Sequence, residues 1–225
     1  GPGVQIPRTD KTFGGETKCV VQKNVADKRA FVTLSVENTN DELMQALIMG
    51  DALSLSCESS SVTFVAPYFP YSREDQTYEQ RGPLTAAVVP RWLAASGYTR
   101  VLTVDLHNEA TEGGIRNTGL KLRHLKTRPL LSHYISNVLY PEIGQGDWTD
   151  FCMGAPDAGA LKTVEKIMKD LPHDDLSLLF AHKRRSLIDG AVDGHGIYHV
   201  EGETVEGKLV LFSDDILGSG NTIFQ

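Results

Sequence analysis

No apolar run in this chain approaches the roughly 18 residues that cross a bilayer as a helix, and no charged segment followed by an apolar one opens it. A membrane-embedded or exported protein is therefore not expected, and a cytoplasmic one is. Cysteine is scarce as well. Cys19, Cys57 and Cys152 are odd in number, far apart, and form neither a Cys-x-x-Cys pair nor a Cys/His set. That excludes a disulfide framework and a zinc site, and the three read as buried thiols in a reducing compartment. Positive charge is also in deficit: 22 Lys and Arg stand against 29 Asp and Glu, for a net charge of −7. A chain so balanced lacks the basic surplus that holds a nucleic-acid backbone or an anionic membrane, so neither is expected as a partner. Repeats and low-complexity tracts are absent. What is present is 225 residues with 40% apolar content, enough for one large core or two small ones, and the length favours two.

Short apolar runs alternate with helical periodicity along the chain. Residues 30–36, 61–67, 100–107, 151–157, 177–183 and 208–215 are apolar on consecutive positions, as buried parallel strands are. Between them, "NDELMQALIMGDALSLSC" sets Leu43, Leu47, Ile48, Ala52 and Leu55 on one stripe, with Asn40 and Asp41 as candidate caps. "PLTAAVVPRWLAASG" begins with a proline and stops at Gly97, and Pro90 in its middle predicts a kink. "PLLSHYISNVL" and "ALKTVEKIMKDL" complete the alternation. Strand, helix, strand repeated in this way predicts an α/β fold with parallel sheets. The glycine-rich "IGQGDW" is the candidate boundary, which places the two units at residues 1–146 and 147–225.

In such folds the chemistry gathers at the carboxyl edges of the strands, and here those ends are unusually polar: "PYFPYSRED", "VDLHNE", "APDAG", "HKRR" and "SDDILGSGNT". In the last, Asp214 and Asp215 follow an apolar strand directly, and two adjacent acids there need a cation, hydroxyl donors or water. A ribose supplies vicinal hydroxyls. Gly218, Ser219, Gly220, Asn221 and Thr222 then offer consecutive backbone N–H groups and two hydroxyls to an anion, a phosphate cradle that lacks the Gly-Lys-Ser/Thr of a Walker loop. A capped strand-to-helix turn is the plainer reading.

"LFSDDILGSGNTI" resembles the phosphoribosyl-pyrophosphate loop of phosphoribosyltransferases and ribose-phosphate pyrophosphokinases. The upstream series "NDELMQALIMGDAL", "VAPYFPYSRED", "RGPLTAAVVPRWLAASGYTRVLTVDLH", "APDAG" and "HKRR" has the order and spacing of the pyrophosphokinases, which simple phosphoribosyltransferases lack. The resemblance runs from about Phe13 to Thr222. It implies two phosphoribosyltransferase-like (Rossmann-like) domains with parallel sheets and an active site between them. The implied reaction moves the β,γ-pyrophosphoryl group of ATP to the anomeric hydroxyl of ribose 5-phosphate, giving phosphoribosyl pyrophosphate and AMP.

The same resemblance implies roles residue by residue. Lys183 and Arg185 match the family's catalytic cations, which neutralise charge on the transferring group. Arg73, Glu74 and Arg81 match its ATP contacts, and Phe13 and Glu16 resemble the Phe-x-Asp-Gly-Glu element that reaches a neighbouring subunit's adenine site. A homo-oligomer, dimer-based and possibly hexameric, follows from that element. His107 and Asp157 match the metal-contacting positions for Mg2+, His107 also facing ATP. Asp214, Asp215 and residues 218–222 match the ribose-phosphate loop.

Several positions depart from the family pattern. Glu74, Gln76 and Thr77 stand where Gln, Arg and Lys are usual, so nucleotide preference is open to change. Gly218 replaces an Asp and Asn221 a Gly, which admits a different ribosyl acceptor such as ADP-ribose. Relative to the family the chain reads as shortened at both ends, with its second domain incomplete. A noncatalytic regulatory paralogue and a phosphoribosyltransferase are the other readings.

Overall fold

The computed structural model describes residues 8–11, 13–35, 39–77, 81–143, 148–173, 176–182, 197–201 and 206–215. They form two compact units that divide between Lys126 and Thr127, ahead of the glycine-rich stretch at which the sequence places the boundary. The reason is the helix that starts at Arg128. Its guanidinium Nε lies 2.8 Å from Asp170 Oδ2, and Ser132 Oγ reaches the same carboxylate, so "PLLSHYISNVL" packs with the second unit.

The first unit opens with an antiparallel ribbon, β1 (Arg8–Lys11) and β2 (Thr17–Val20). Its sheet has four parallel strands among the described residues, in the order β3 (Arg29–Thr33), β4 (Ser61–Ala66), β5 (Arg100–Val104) and β6 (Lys121–Leu125). The helices α1 (Thr39–Asp51), α2 (Val88–Ala95) and α3 (Glu109–Asn117) make the crossovers. Three of the four strands are the apolar runs of the sequence. The fourth, "KLRHL", alternates half-buried and exposed residues, the pattern of an edge strand instead of a buried one.

Two local expectations change. Helix α1 starts at Thr39, so Asn40 and Asp41 lie inside its first turn and not ahead of it; Asp41 and Glu42 there complement the positive end of the helix. Pro90 does not kink its helix. A 3-10 turn, Thr85–Ala87, precedes α2, so Pro90 falls in the first α-turn, where backbone N–H groups have no intrahelical partner to lose. The far end fits the sequence closely. Gly97 N–H donates to Ala94 C=O and Tyr98 N–H to Leu93 C=O, with Gly97 at φ 81, the paired bonds of a left-handed helix stop.

The core of this unit centres on Phe64, fully buried in β4, edge-on to Phe69 at 6.3 Å and to Tyr98 at 5.5 Å. Burial of each large apolar side chain contributes roughly 1.5–3 kcal/mol. Tyr98 keeps its hydroxyl satisfied by donating to Ala46 C=O at 2.6 Å, and burial raises its pKa. This ring also explains Gly50 in α1, where a Cβ would lie 2.4 Å from Tyr98 Cε2 and 2.7 Å from Ser96 O.

The second unit holds a mixed sheet in the order β10 (Leu209–Phe212), β7 (Phe151–Ala155), β8 (Ser177–His182), β9 (Ile197–Glu201). The first three run parallel and β9 runs antiparallel to β8. The three strands expected from the apolar runs are the parallel ones, and β9 adds an antiparallel edge. Helix α4 (Arg128–Tyr134) continues through a π turn, Ile135–Leu139, into α5 (Tyr140–Ile143), and α6 (Ala158–Met168) connects β7 to β8. Phe151, Met153, Val164 and Ile167 fill the core. Only Cys152 of the three cysteines is buried; Cys19 and Cys57 are half-buried against the first core, and all three are free. Among the described residues no helix is long and apolar enough to cross a membrane.

Candidate functional site

Past β4 the chain leaves the sheet through a folded loop anchored by the buried ring of Phe69. Ser72 N–H donates to Phe69 C=O and Glu74 N–H to Tyr71 C=O, two successive turns that require left-handed backbone at Tyr71, φ 59. Ala86 N–H in turn donates to Glu74 C=O, which ties the loop to the start of α2. The Tyr71 hydroxyl donates to Asn40 Oδ1 in the first turn of α1. These ties leave an open cleft of about 480 Å3 lined by Thr39, Asn40, Tyr68, Tyr71, Arg73 and Glu74. It brings aromatic faces, a guanidinium and a carboxylate together.

Arg73 and Glu74 are thus brought into one place. Arg81 is exposed, at φ 70, beyond the loop. Phe13 begins the turn between β1 and β2, with Gly14 and Gly15 at φ 81 and 80, and Glu16 is exposed at its end. Neither Arg81, Glu16 nor His107 is among the residues that line the cleft. Tyr68, Tyr71 and Asn40 were not singled out as binding residues from the sequence. Two tyrosines spaced by prolines at a strand end were the available signal.

At the end of β5 the backbone turns sharply at Asp105, φ 34. Asp105 N–H donates to Leu125 C=O at 3.0 Å, and Leu106 N–H donates to His124 Nε2 at 2.9 Å. His107 comes next and is exposed. Asn108 then caps α3, its Oδ1 accepting from Ala110 N–H at 2.8 Å. The residue thought to face a metal therefore sits between a hydrogen-bonded turn and a capped helix.

In the second unit Asp157 occupies the corresponding place after β7. Its Oδ1 accepts from Gly159 N–H at 2.9 Å and Ala160 N–H at 3.1 Å, capping α6. Asp214 and Asp215 follow β10, whose pairing with β7 is carried one residue further by Ser213 N–H donating to Gly154 C=O. Asp215 N–H donates to Asp214 Oδ1 at 2.9 Å. Lost hydration, and after it the neighbouring Asp215 and Asp157 carboxyls, push the pKa of Asp214 up to about 6. Water still reaches the pair and screens this repulsion. Asp157, Asp214 and Asp215 therefore share one anionic neighbourhood. Among the described residues no three His, Cys, Asp or Glu side chains converge as a full ligand set; a hard cation held there would take one or two of these carboxylates and complete its shell with other oxygens. Lys183, Arg185 and residues 218–222 lie outside the described residues.

Comparison with known proteins bears on the whole chain. A profile of the N-terminal domain of ribose phosphate pyrophosphokinase matches residues 6–97. The ribose-phosphate pyrophosphokinase of Campylobacter jejuni is 30% identical over 227 residues, covering 99% of this chain and 67% of the relative. The chain belongs to the ribose-phosphate pyrophosphokinase family. The Fusobacterium nucleatum ribose-phosphate pyrophosphokinase is 29% identical over 98% of the chain and 65% of its own length. The crystal structure of phosphoribosylpyrophosphate synthetase from Mycobacterium smegmatis superposes with a TM-score of 0.79 at 28% identity, over 98% of this chain and 66% of that one. The α/β fold is thus of the phosphoribosyltransferase type found in this family. The chain spans 60 to 65% of the length of the first curated relatives it matches.

Proposed function

We propose that this chain carries out the family's reaction, transfer of the β,γ-pyrophosphoryl group of ATP to the anomeric hydroxyl of ribose 5-phosphate, yielding phosphoribosyl pyrophosphate and AMP. The observation that carries the proposal is the cleft at the carboxyl end of β4, where Arg73, Glu74, Tyr68 and Tyr71 meet the first turn of α1 in a chain of this family. Arg73 pairs with phosphate, and the aromatic rings give adenine a surface to stack on. Asp214 and Asp215 accept hydrogen bonds from the ribose hydroxyls, and residues 218–222 are assigned to its 5-phosphate by their match to the family's loop. Lys183 and Arg185 neutralise charge that builds on the transferring group as the oxygen–phosphorus bond to AMP breaks.

Mg2+ would supply charge neutralisation on the triphosphate, with His107 in the first unit and Asp157 in the second each a candidate ligand by its match to the family pattern. A cytoplasmic setting accords with this reading. So does a homo-oligomer assembled through the exposed turn at residues 14–16, which light scattering would register as a mass above that of the monomer. The reaction itself is tested by incubating the chain with ATP, Mg2+ and ribose 5-phosphate and following phosphorus NMR. AMP and phosphoribosyl pyrophosphate appearing together, only with acceptor present, is the expected result. Hydrolysis without acceptor dependence, or no product at all, would refute it.

A further inference from the structure

Strand β6 contributes a histidine whose position is hard to explain by packing alone. Two acceptors at the end of β6 take consecutive N–H groups from the turn preceding His107: Leu125 C=O takes Asp105 N–H, and His124 Nε2 takes Leu106 N–H at 2.9 Å. An amide N–H can only donate, so Nε2 must carry its lone pair and the proton must reside on Nδ1. Nδ1 faces Glu112 Oε2 of α3 at 3.1 Å, and Glu112 Oε1 accepts from Arg116 Nε at 3.1 Å and Nη2 at 2.9 Å. The chain of contacts is therefore directional. Arg116 orients Glu112, Glu112 fixes the imidazole tautomer, and the imidazole holds the backbone amide next to His107. The hydrogen bond from His124, then that from Arg116, holds Glu112 below its ordinary carboxylate pKa, so the acceptor is charged where the tautomer needs it.

The turn has reason to need a clamp. Asp105 sits at φ 34, a left-handed conformation that an L side chain adopts only at a cost and that persists when surrounding contacts impose it. The His124 side chain is only 11% exposed, so water competes poorly for its Nε2.

We infer that His124 is a positioning residue for the proposed reaction: through its Nε2 it fixes the 105–107 turn and with it the place of His107, while Glu112 and Arg116 select the tautomer. This rests on the reading of His107 as a residue that serves ATP and its metal. Two variants separate geometry from bulk. His124→Phe keeps the ring and removes the acceptor, whereas His124→Gln places an amide oxygen near the position of Nε2. In the full chain, hydrogen exchange at the Leu106 amide should quicken at least tenfold in His124→Phe and stay within about threefold of the parent in His124→Gln, and the nitrogen-15 shifts of the parent imidazole should report the Nδ1–H tautomer. In the AMP-forming assay, kcat should fall at least tenfold in His124→Phe with KM for ribose 5-phosphate within about twofold, and His124→Gln should recover most of it.

Unchanged Leu106 exchange in His124→Phe, or an Nε2–H tautomer, would overturn the clamp whatever the activity. Altered exchange with unchanged kcat would overturn its role in the reaction. Equal loss in both variants, tracking melting temperature, would mark His124 as structural only and overturn the proposal as well. Should the parent chain form no AMP, the proposed function fails, while the exchange and nitrogen-15 measurements still decide the clamp.

Discussion

In the first unit the loops that follow β4 and β5 are fastened by specific hydrogen bonds: Tyr71 to Asn40, Ala86 to Glu74, Asp105 to Leu125, Leu106 to His124. In the second unit the described acids are arranged differently. Asp157 spends one oxygen on starting α6, and Asp214 and Asp215 stand side by side with their repulsion only partly relieved. The contrast is between loops fixed by hydrogen bonds and loops that accumulate negative charge. Both sets of loops leave the carboxyl ends of parallel strands. The difference therefore comes from the residues placed at the strand ends, not from the architecture.

Four substitutions break or sharpen that contrast. Gly50→Ala should have the largest effect. Alanine improves helix propensity by about 1 kcal/mol, but its Cβ would meet the backbone oxygen of Ser96 at 2.7 Å and the Tyr98 ring at 2.4 Å. The clash should win, with a net loss of about 2–3 kcal/mol and faster amide exchange confined to α1, α2 and their strands. Gly154→Ala is the counterpart in the second unit. There the obstacle is the Phe212 ring at 2.6 Å, a side chain that can swing, so the cost should be nearer about 1–2 kcal/mol and should appear as loosened β7–β10 pairing in the exchange pattern.

Asp157→Ala should remove the cap of α6 and cost about 1 kcal/mol in a denaturant titration, whether or not Mg2+ is added; a loss confined to Mg2+-containing buffer would show that the carboxylate matters only as a ligand. The smallest effect should come from Asp214→Asn, and it should depend on pH. The folded-state pKa of about 6 lies above the ordinary 3.8, so the stability this group contributes is full below about pH 4 and is lost as pH rises through 6. The variant should therefore unfold at a higher urea concentration than the parent at pH 8 and at the same concentration at pH 4. A parent that is the more stable of the two at pH 8 would contradict the charge crowding.

Much of this was legible in the residues. Six apolar runs corresponded to strands because buried parallel strands are apolar at every position, and Gly97 marked its helix stop because the left-handed turn there calls for glycine. Strand β6 was not legible. Half-exposed "KLRHL" carries no continuous apolar signal, and His124 within it looks like any polar edge residue until Leu106 is seen to donate to it. Pro90 misled because its effect depends on where the helix begins, and a preceding 3-10 turn is not written in periodicity. The unit boundary shifted because an ion pair, Arg128 with Asp170, assigns a helix to its neighbours, and composition does not record pairing. The acid pair after β10 was clear from sequence, yet its coupling to Asp157 required the pairing of β10 with β7.

Among the described residues five non-glycine positions have left-handed backbone, and Tyr71, Arg81 and Asp105 are three of them. All three lie beyond the ends of β4 and β5, where the site is built. Each such conformation costs on the order of 1 kcal/mol that glycine would not incur. A search for heat tolerance guided by backbone geometry would mark these positions first for replacement by glycine. The resulting protein would melt later while losing a tyrosine from the cleft, an arginine beyond it and the aspartate that opens the His107 turn, so resistance to heat would be gained by erasing side chains on which the proposed function rests.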